Sequence, residues 1–150
     1  MLAPGQSFSE SFPADATSVP DARAAVTEFA REAGVKGERL HAIRLAASEA
    51  VTNAVVHAYD GASGTIQVTA SYVPGEVWVL ISDSGSGLRT RTGRSGLGLG
   101  LVLIAQLADE FEIASRGTGG TELRMLFRLR SRESSDDQPR GSVSSALAPA

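Results

Sequence analysis

Residues 48–59 read Ser48-Glu49-Ala50-Val51-Thr52-Asn53-Ala54-Val55-Val56-His57-Ala58-Tyr59. A segment this rich in Ala and Val still places a carboxylate, an amide and an imidazole at steps of four. On a wheel of about 100° per residue, Leu40, Ile43, Ala47, Ala50, Val51, Ala54, Val55 and Ala58 gather on one side. This predicts a helix from about Gly37 to Tyr59, with that side in the core and Asp60-Gly61 as the stop. Glu49, Asn53 and His57 fall opposite, within a sector of about 80°. One reading of that side is a solvated face. Its remaining residues, Leu45, Ala46, Thr52 and Val56, argue against it, because a water-washed face carries several Lys, Glu or Arg. The pattern predicts a side half-covered by a ligand or by another part of the chain. Glu49 and Asn53 are one turn apart, about 6 Å along the axis. At that spacing an amide oxygen can ligate a hard cation while the carboxylate orients a hydroxyl or water.

Working outward, QSFSESF (residues 6–12) alternates and ends at Pro13, which predicts a first strand at a sheet edge. Ser18-Val-Pro20-Asp21 starts a first helix, with Ser18 as its cap and Gly34 as its end. Ala22, Ala25, Val26, Phe29 and Ala33 have helical spacing within it. Strands are predicted at Gly64–Tyr72 and Glu76–Asp83, joined by a Pro74-Gly75 turn. Residues 84–100 read as loop, and a helical pattern sets in from about Leu97. Two further strands, Phe111–Ser115 and Glu122–Leu129, flank a turn at residues 117–120. The order β-α-α-β-β-loop-α-β-β predicts an α+β two-layer sandwich: a mostly antiparallel sheet with helices on one face.

The chain has 150 residues, a net charge of −3 and no Cys. That length suits one domain with a real core. The charge indicates no global attraction to nucleic acid or anionic membrane. Without Cys there are no disulfides or thiolate metal sites, which fits a reducing compartment. No apolar run approaches the roughly 20 residues needed to span a bilayer, and MLAPGQSFSESF lacks the features of a secretion signal. The expectation is a soluble, cytoplasmic protein with one domain over residues 1–130. Residues 131–150 lack large apolar side chains apart from Val143 and Leu147, and are expected to be a disordered tail.

Three more stretches carry chemistry. Asp83-Ser-Gly85-Ser-Gly87 follows the apolar strand VWVLI. A carboxylate there can accept a hydrogen bond from an exocyclic amine such as that of adenine, and glycines let the backbone approach a flat base. Taken alone, the stretch reads first as an ordinary turn, because Asp, Ser and Gly are turn formers. Gly93-Arg94-Ser95-Gly96-Leu-Gly98-Leu-Gly100 opens an apolar helix. Free N–H groups at a helix N-terminus, with Arg94 beside them, suit phosphate. No Gly-Lys-Ser/Thr follows, so this is not a Walker A loop, and the flanking strands fit no dinucleotide-binding βαβ unit. So many glycines weaken the helix start and suggest a mobile lid. Gly117-Thr-Gly-Gly-Thr121 precedes the last strand; Thr121 could donate to a base or its water, and a hairpin turn is the plainer alternative.

In this order, SEAVTNAVVHAY, ISDSGSGL, RSGLGLGL and the final GGT resemble the GHKL ATP-binding family of gyrase-type topoisomerases, heat-shock chaperones, mismatch-repair ATPases and histidine kinases. The greatest similarity within it is to the bacterial anti-sigma-factor serine/threonine kinases, and it covers about residues 6–130. The resemblance implies that Asn53 ligates Mg²⁺ and Glu49 is the general base. It implies that Asp83 binds the adenine amine, with Gly85 and Gly87 beneath the base and Thr121 completing that side. Arg94, Ser95, Gly96, Gly98 and Gly100 would form a lid around the phosphates of ATP, and His57 would make a structural hydrogen bond. It further implies a STAS-type anti-sigma antagonist as phosphoacceptor, a sigma factor as second partner, homodimers, and a partner surface that includes the first helix. A module that binds ATP and sequesters a protein without transfer is the alternative; a plain ATPase is a second. Two departures stand out. The stretch between Gly87 and Gly96 is short for a histidine-kinase lid, and the other His, His41, precedes the motif rather than serving as a phosphoacceptor. Gly100 stands where a residue with a side chain is expected, which would loosen lid closure.

Overall fold

In the third strand, Val77, Val79, Ile81 and Asp83 are buried while the residues between them are half-exposed. This period of two is that of a strand with one covered face. The structure, a computed structural model, describes residues 2–57, 64–84, 98–116 and 119–129. Its elements run β1 (Ser7–Pro13), α1 (Ser18–Glu32), α2 (Gly37–His57), β2 (Thr65–Val73), β3 (Glu76–Asp83), α3 (Gly98–Leu107), β4 (Glu110–Ser115) and β5 (Thr121–Arg128). The strands form one antiparallel sheet in the order β1-β2-β3-β5-β4. The expected α+β fold is present, with every described strand pair antiparallel and β1 at an edge.

Register explains the core. Ile66 pairs with Asp83, Val68 with Ile81 and Ala70 with Val79; Val77 pairs with Phe127, Val79 with Met125 and Ile81 with Leu123. Directly opposed residues share a face, so these side chains make one apolar surface. α1 and α2 cover it with Ala22, Val26, Phe29, Ile43, Ala47, Ala50 and Val51. Each large side chain buried there contributes about 1.5–3 kcal/mol. The opposite face mixes Trp78, Leu80 and the buried Leu126 with polar pairs: Ser11 donates to Gln67 (2.6 Å), and Arg124 donates to Glu122 (2.6 Å) and Glu112 (3.3 Å). The bond to Glu122, then its charge, hold the Arg124 pKa above the ordinary value.

The ends of α1 show one correction and one agreement. Ser18 is not the cap. Thr17 occupies that position without a side-chain cap bond, and Asp15 accepts hydrogen bonds from the Thr17 N–H (2.9 Å) and hydroxyl. Asp15 reaches the turn first, so Ser18 becomes the buried first helical residue and donates back to the Pro13 carbonyl at 2.5 Å. Gly34 does end the helix. Its φ is 94°, its N–H reaches the Arg31 carbonyl, and the Val35 N–H reaches that of Ala30, the paired bonds of a Schellman turn. Gly75 turns the β2–β3 hairpin at φ 84°. The stop at Asp60-Gly61, residues 85–97 and residues 130–150 lie outside the described residues.

Candidate functional site

Two sources of polar groups converge under α2. The first is α2 itself, where Asn53 is buried and Glu49, one turn earlier, is half-buried. The cover on this side of the helix comes from α3, which packs along α2. Ala46 and Ile104 are both fully buried. The half-covered side expected from the sequence is therefore covered by another part of the chain.

The contact at Gly100 is close. A Cβ there would stand 3.0 Å from Asn53 Oδ1, 3.1 Å from Asn53 Nδ2 and 3.3 Å from Glu49 Oε2. With no side chain at position 100, the helix seats against both polar groups. Asn53 Nδ2 is buried with no hydrogen-bond partner among the described residues. Such groups are rare, because leaving one unpaired costs about 1–3 kcal/mol.

The second source is the sheet. Asp83 closes the inward series Val77, Val79, Ile81, so its side chain emerges on the face under α2 and is buried. Pairing of Ser82 with Glu122 puts Thr121, also buried, beside Asp83. Asn53, Asp83 and Thr121 line one pocket with Ala50, Ala54, Ile81 and Leu123. The cavity they enclose is about 20 Å³, on the scale of one water molecule.

A tight turn fixes the strand end. Gly120 has φ 94°, and a Cβ there would lie 2.0 Å from the Asp83 carbonyl oxygen. Glycine is required both for the backbone conformation and for this approach. Arg116 donates from Nη1 to the same carbonyl at 3.2 Å, its N–H donates to the Gly120 carbonyl, and the Gly119 N–H donates to the Arg116 carbonyl. Sequence reasoning missed Arg116, which carries no motif, and the contact made by Gly120; the Gly119-Gly120 pair in GTGGT was the available signal for the second.

Of the residues expected at the site, the fold brings together Glu49, Asn53, Asp83, Thr121 and Gly100, while Gly98 opens α3. Gly85, Gly87, Arg94, Ser95 and Gly96 lie outside the described residues, as does the side chain of His57. Among the described residues no group of three or more His, Asp or Glu could hold a metal ion. A cation here would have to share ligands with a bound phosphate. That is the usual mode of Mg²⁺, which takes one or two protein ligands and keeps waters. The Asn53 Oδ1 oxygen, beside the Glu49 carboxylate, fits that ligand set, and Nδ2 is a donor left for a phosphate or water oxygen.

This architecture defines a class. A family model described as histidine kinase-like ATPase domain matches residues 12–127, and the chain belongs to that family, a GHKL-type ATP-binding fold. Its curated relatives narrow the class. It is 30% identical over 115 residues, covering 69% of this chain and 80% of the other, to the Anti-sigma F factor of Caldanaerobacter subterraneus subsp. tengcongensis. It is 26% identical over 124 residues to the Anti-sigma F factor of Clostridium novyi, 75% of this chain and 87% of that one. A shorter match, 34% over 67 residues, joins it to the Anti-sigma F factor of Clostridium acetobutylicum, 45% of this chain and 47% of that one. Among the described residues no helix is long and apolar enough to cross a membrane.

Proposed function

We propose that this protein is an ATP-dependent serine/threonine kinase that acts as an anti-sigma factor. It phosphorylates a STAS-type antagonist protein and sequesters a sigma factor, with the bound nucleotide selecting the partner. The observation that carries the reading is the buried Asn53 beside Glu49, its Nδ2 without a hydrogen-bond partner among the described residues, on a pocket that ends at Asp83 and Thr121. The names of the relatives support the partner class.

In this reading Asp83 accepts a hydrogen bond from the adenine amine, and Thr121 completes that end. Asn53 would hold Mg²⁺ together with the phosphates, and the ion would supply neutralisation of charge on the transferred group. Glu49 takes or orients the proton of the acceptor hydroxyl. Gly98 and Gly100, with Gly85, Gly87, Arg94, Ser95 and Gly96, belong to the backbone and lid around the nucleotide. The protein works in the cytoplasm as a homodimer, and residues 1–130 are the functional domain. A groove of about 690 Å³ between α1 and α2 is lined by Arg23, Arg31, His41 and Arg44 with Glu28 as an acidic member. In a chain of net charge −3, this basic strip supports docking of an acidic segment of a partner.

The reading is tested by titrating the pure protein with Mg-ATP in a calorimeter, then supplying labelled ATP and candidate STAS proteins. Saturable binding is expected, with transfer to a Ser or Thr that Glu49→Gln abolishes while binding persists. Absence of both heat and a thermal shift would sink the proposal. Binding without transfer to any candidate would favour a module that sequesters its partner without chemistry.

A further inference from the structure

Gly100 lies on the same face of α3 as the buried Ile104, one turn on. It is not among the positive-φ glycines, so its backbone conformation is open to any residue; the space around it is what favours glycine. A Cβ would press on the Asn53 amide and the Glu49 carboxylate at 3.0–3.3 Å. The half-buried Glu49 carboxylate can swing aside, but the Asn53 amide is buried and has little room to turn away. The seated helix also leaves Asn53 Nδ2 buried without a partner, and the pocket beside it has room for about one water.

We propose that Gly100 is a positioning residue that sets nucleotide affinity by letting α3 seat on Asn53 and Glu49 in the nucleotide-free protein. The inference rests on the nucleotide reading of the site. In the seated form α3 covers Asn53 and Glu49, and Asn53 Nδ2 has no partner among the described residues; the lifted form opens the Asn53 amide to a phosphate-bound cation and the Glu49 carboxylate to the acceptor hydroxyl. Apparent affinity is then the intrinsic affinity reduced by the fraction of molecules with α3 lifted. A methyl at position 100 penalises the seated form, and the lifted fraction rises.

The test compares Mg-ATP affinity and backbone amide exchange in wild type, Gly100→Ala, Gly100→Ser and Val102→Ala. Val102 is on α3 but 55% exposed, so its replacement improves helix propensity without touching Asn53. Gly100→Ala is expected to bind Mg-ATP about three- to tenfold more tightly, and Gly100→Ser to shift the same way. Without nucleotide, amides of residues 101–107 exchange faster in both than in wild type. Val102→Ala keeps wild-type affinity. Unchanged or weaker binding by both Gly100 variants overturns the inference, as does an equal gain from Val102→Ala. Either Gly100 variant alone suffices if the other does not fold. Wild type that binds no Mg-ATP removes the nucleotide reading and this inference with it; wild type that binds, with Gly100 variants unshifted, removes the inference alone.

Discussion

Asp83 and Thr121 stand on neighbouring strands of a hydrogen-bonded ladder, whereas Glu49 and Asn53 meet α3 through helix-on-helix packing. The strand-built half cannot change its spacing without breaking backbone bonds. The helix-built half can, since packed helices slide at modest cost. The two halves therefore divide the work: one offers a fixed end for a rigid group, and the other can give way to admit a ligand.

The most damaging break of that contrast is at Gly120. Gly120→Ala puts a Cβ 2.0 Å from the Asp83 carbonyl at φ 94°. Urea denaturation is expected to show a loss on the order of 3 kcal/mol or more, since strain and backbone displacement add. A loss under about 1 kcal/mol would mean the strand-built half is more pliable than its ladder suggests.

Next is Asn53→Ala, where stability and function should part. It removes an amide donor that has no partner, so stability should range from unchanged to about 1 kcal/mol higher. Mg-ATP affinity should fall by about 100-fold, or ~2.7 kcal/mol. A marked drop in melting temperature would show that the amide is structural. The smallest effect is expected at Arg116→Ala, which removes one hydrogen bond to the Asp83 carbonyl and leaves Gly120 in place. Affinity should weaken about fivefold, close to 1 kcal/mol, and Arg116→Lys should recover part of it. Equal affinity in Arg116→Ala would show that the Arg116 bond does not position Asp83.

Much of the strand-built half was legible, because alternation in VWVLISD names its inward face and ends on Asp83. The core side of α2 was legible for the same reason, through a period of 3.6. Gly34 and Gly75 were readable as punctuation, and both have positive φ. What escaped depends on contacts across the chain. Ser18 looked like a cap until Asp15 was seen to satisfy the turn ahead of it. The closeness of Gly100 to Asn53 and Glu49 was hidden, because spacing gives no hint of it. Arg116 belongs to no pattern, and its partner is 33 residues away.

The strand order carries a further consequence. β3 and β5 are interior to the sheet, flanked by β2 and β4, while β1 and β4 take the two margins. Fraying starts where a strand has one neighbour. Brief excursions from the native state would thus peel the margins and spare the backbone that carries Asp83 and Thr121, making the centre of the pocket one of the last parts of the protein to come undone.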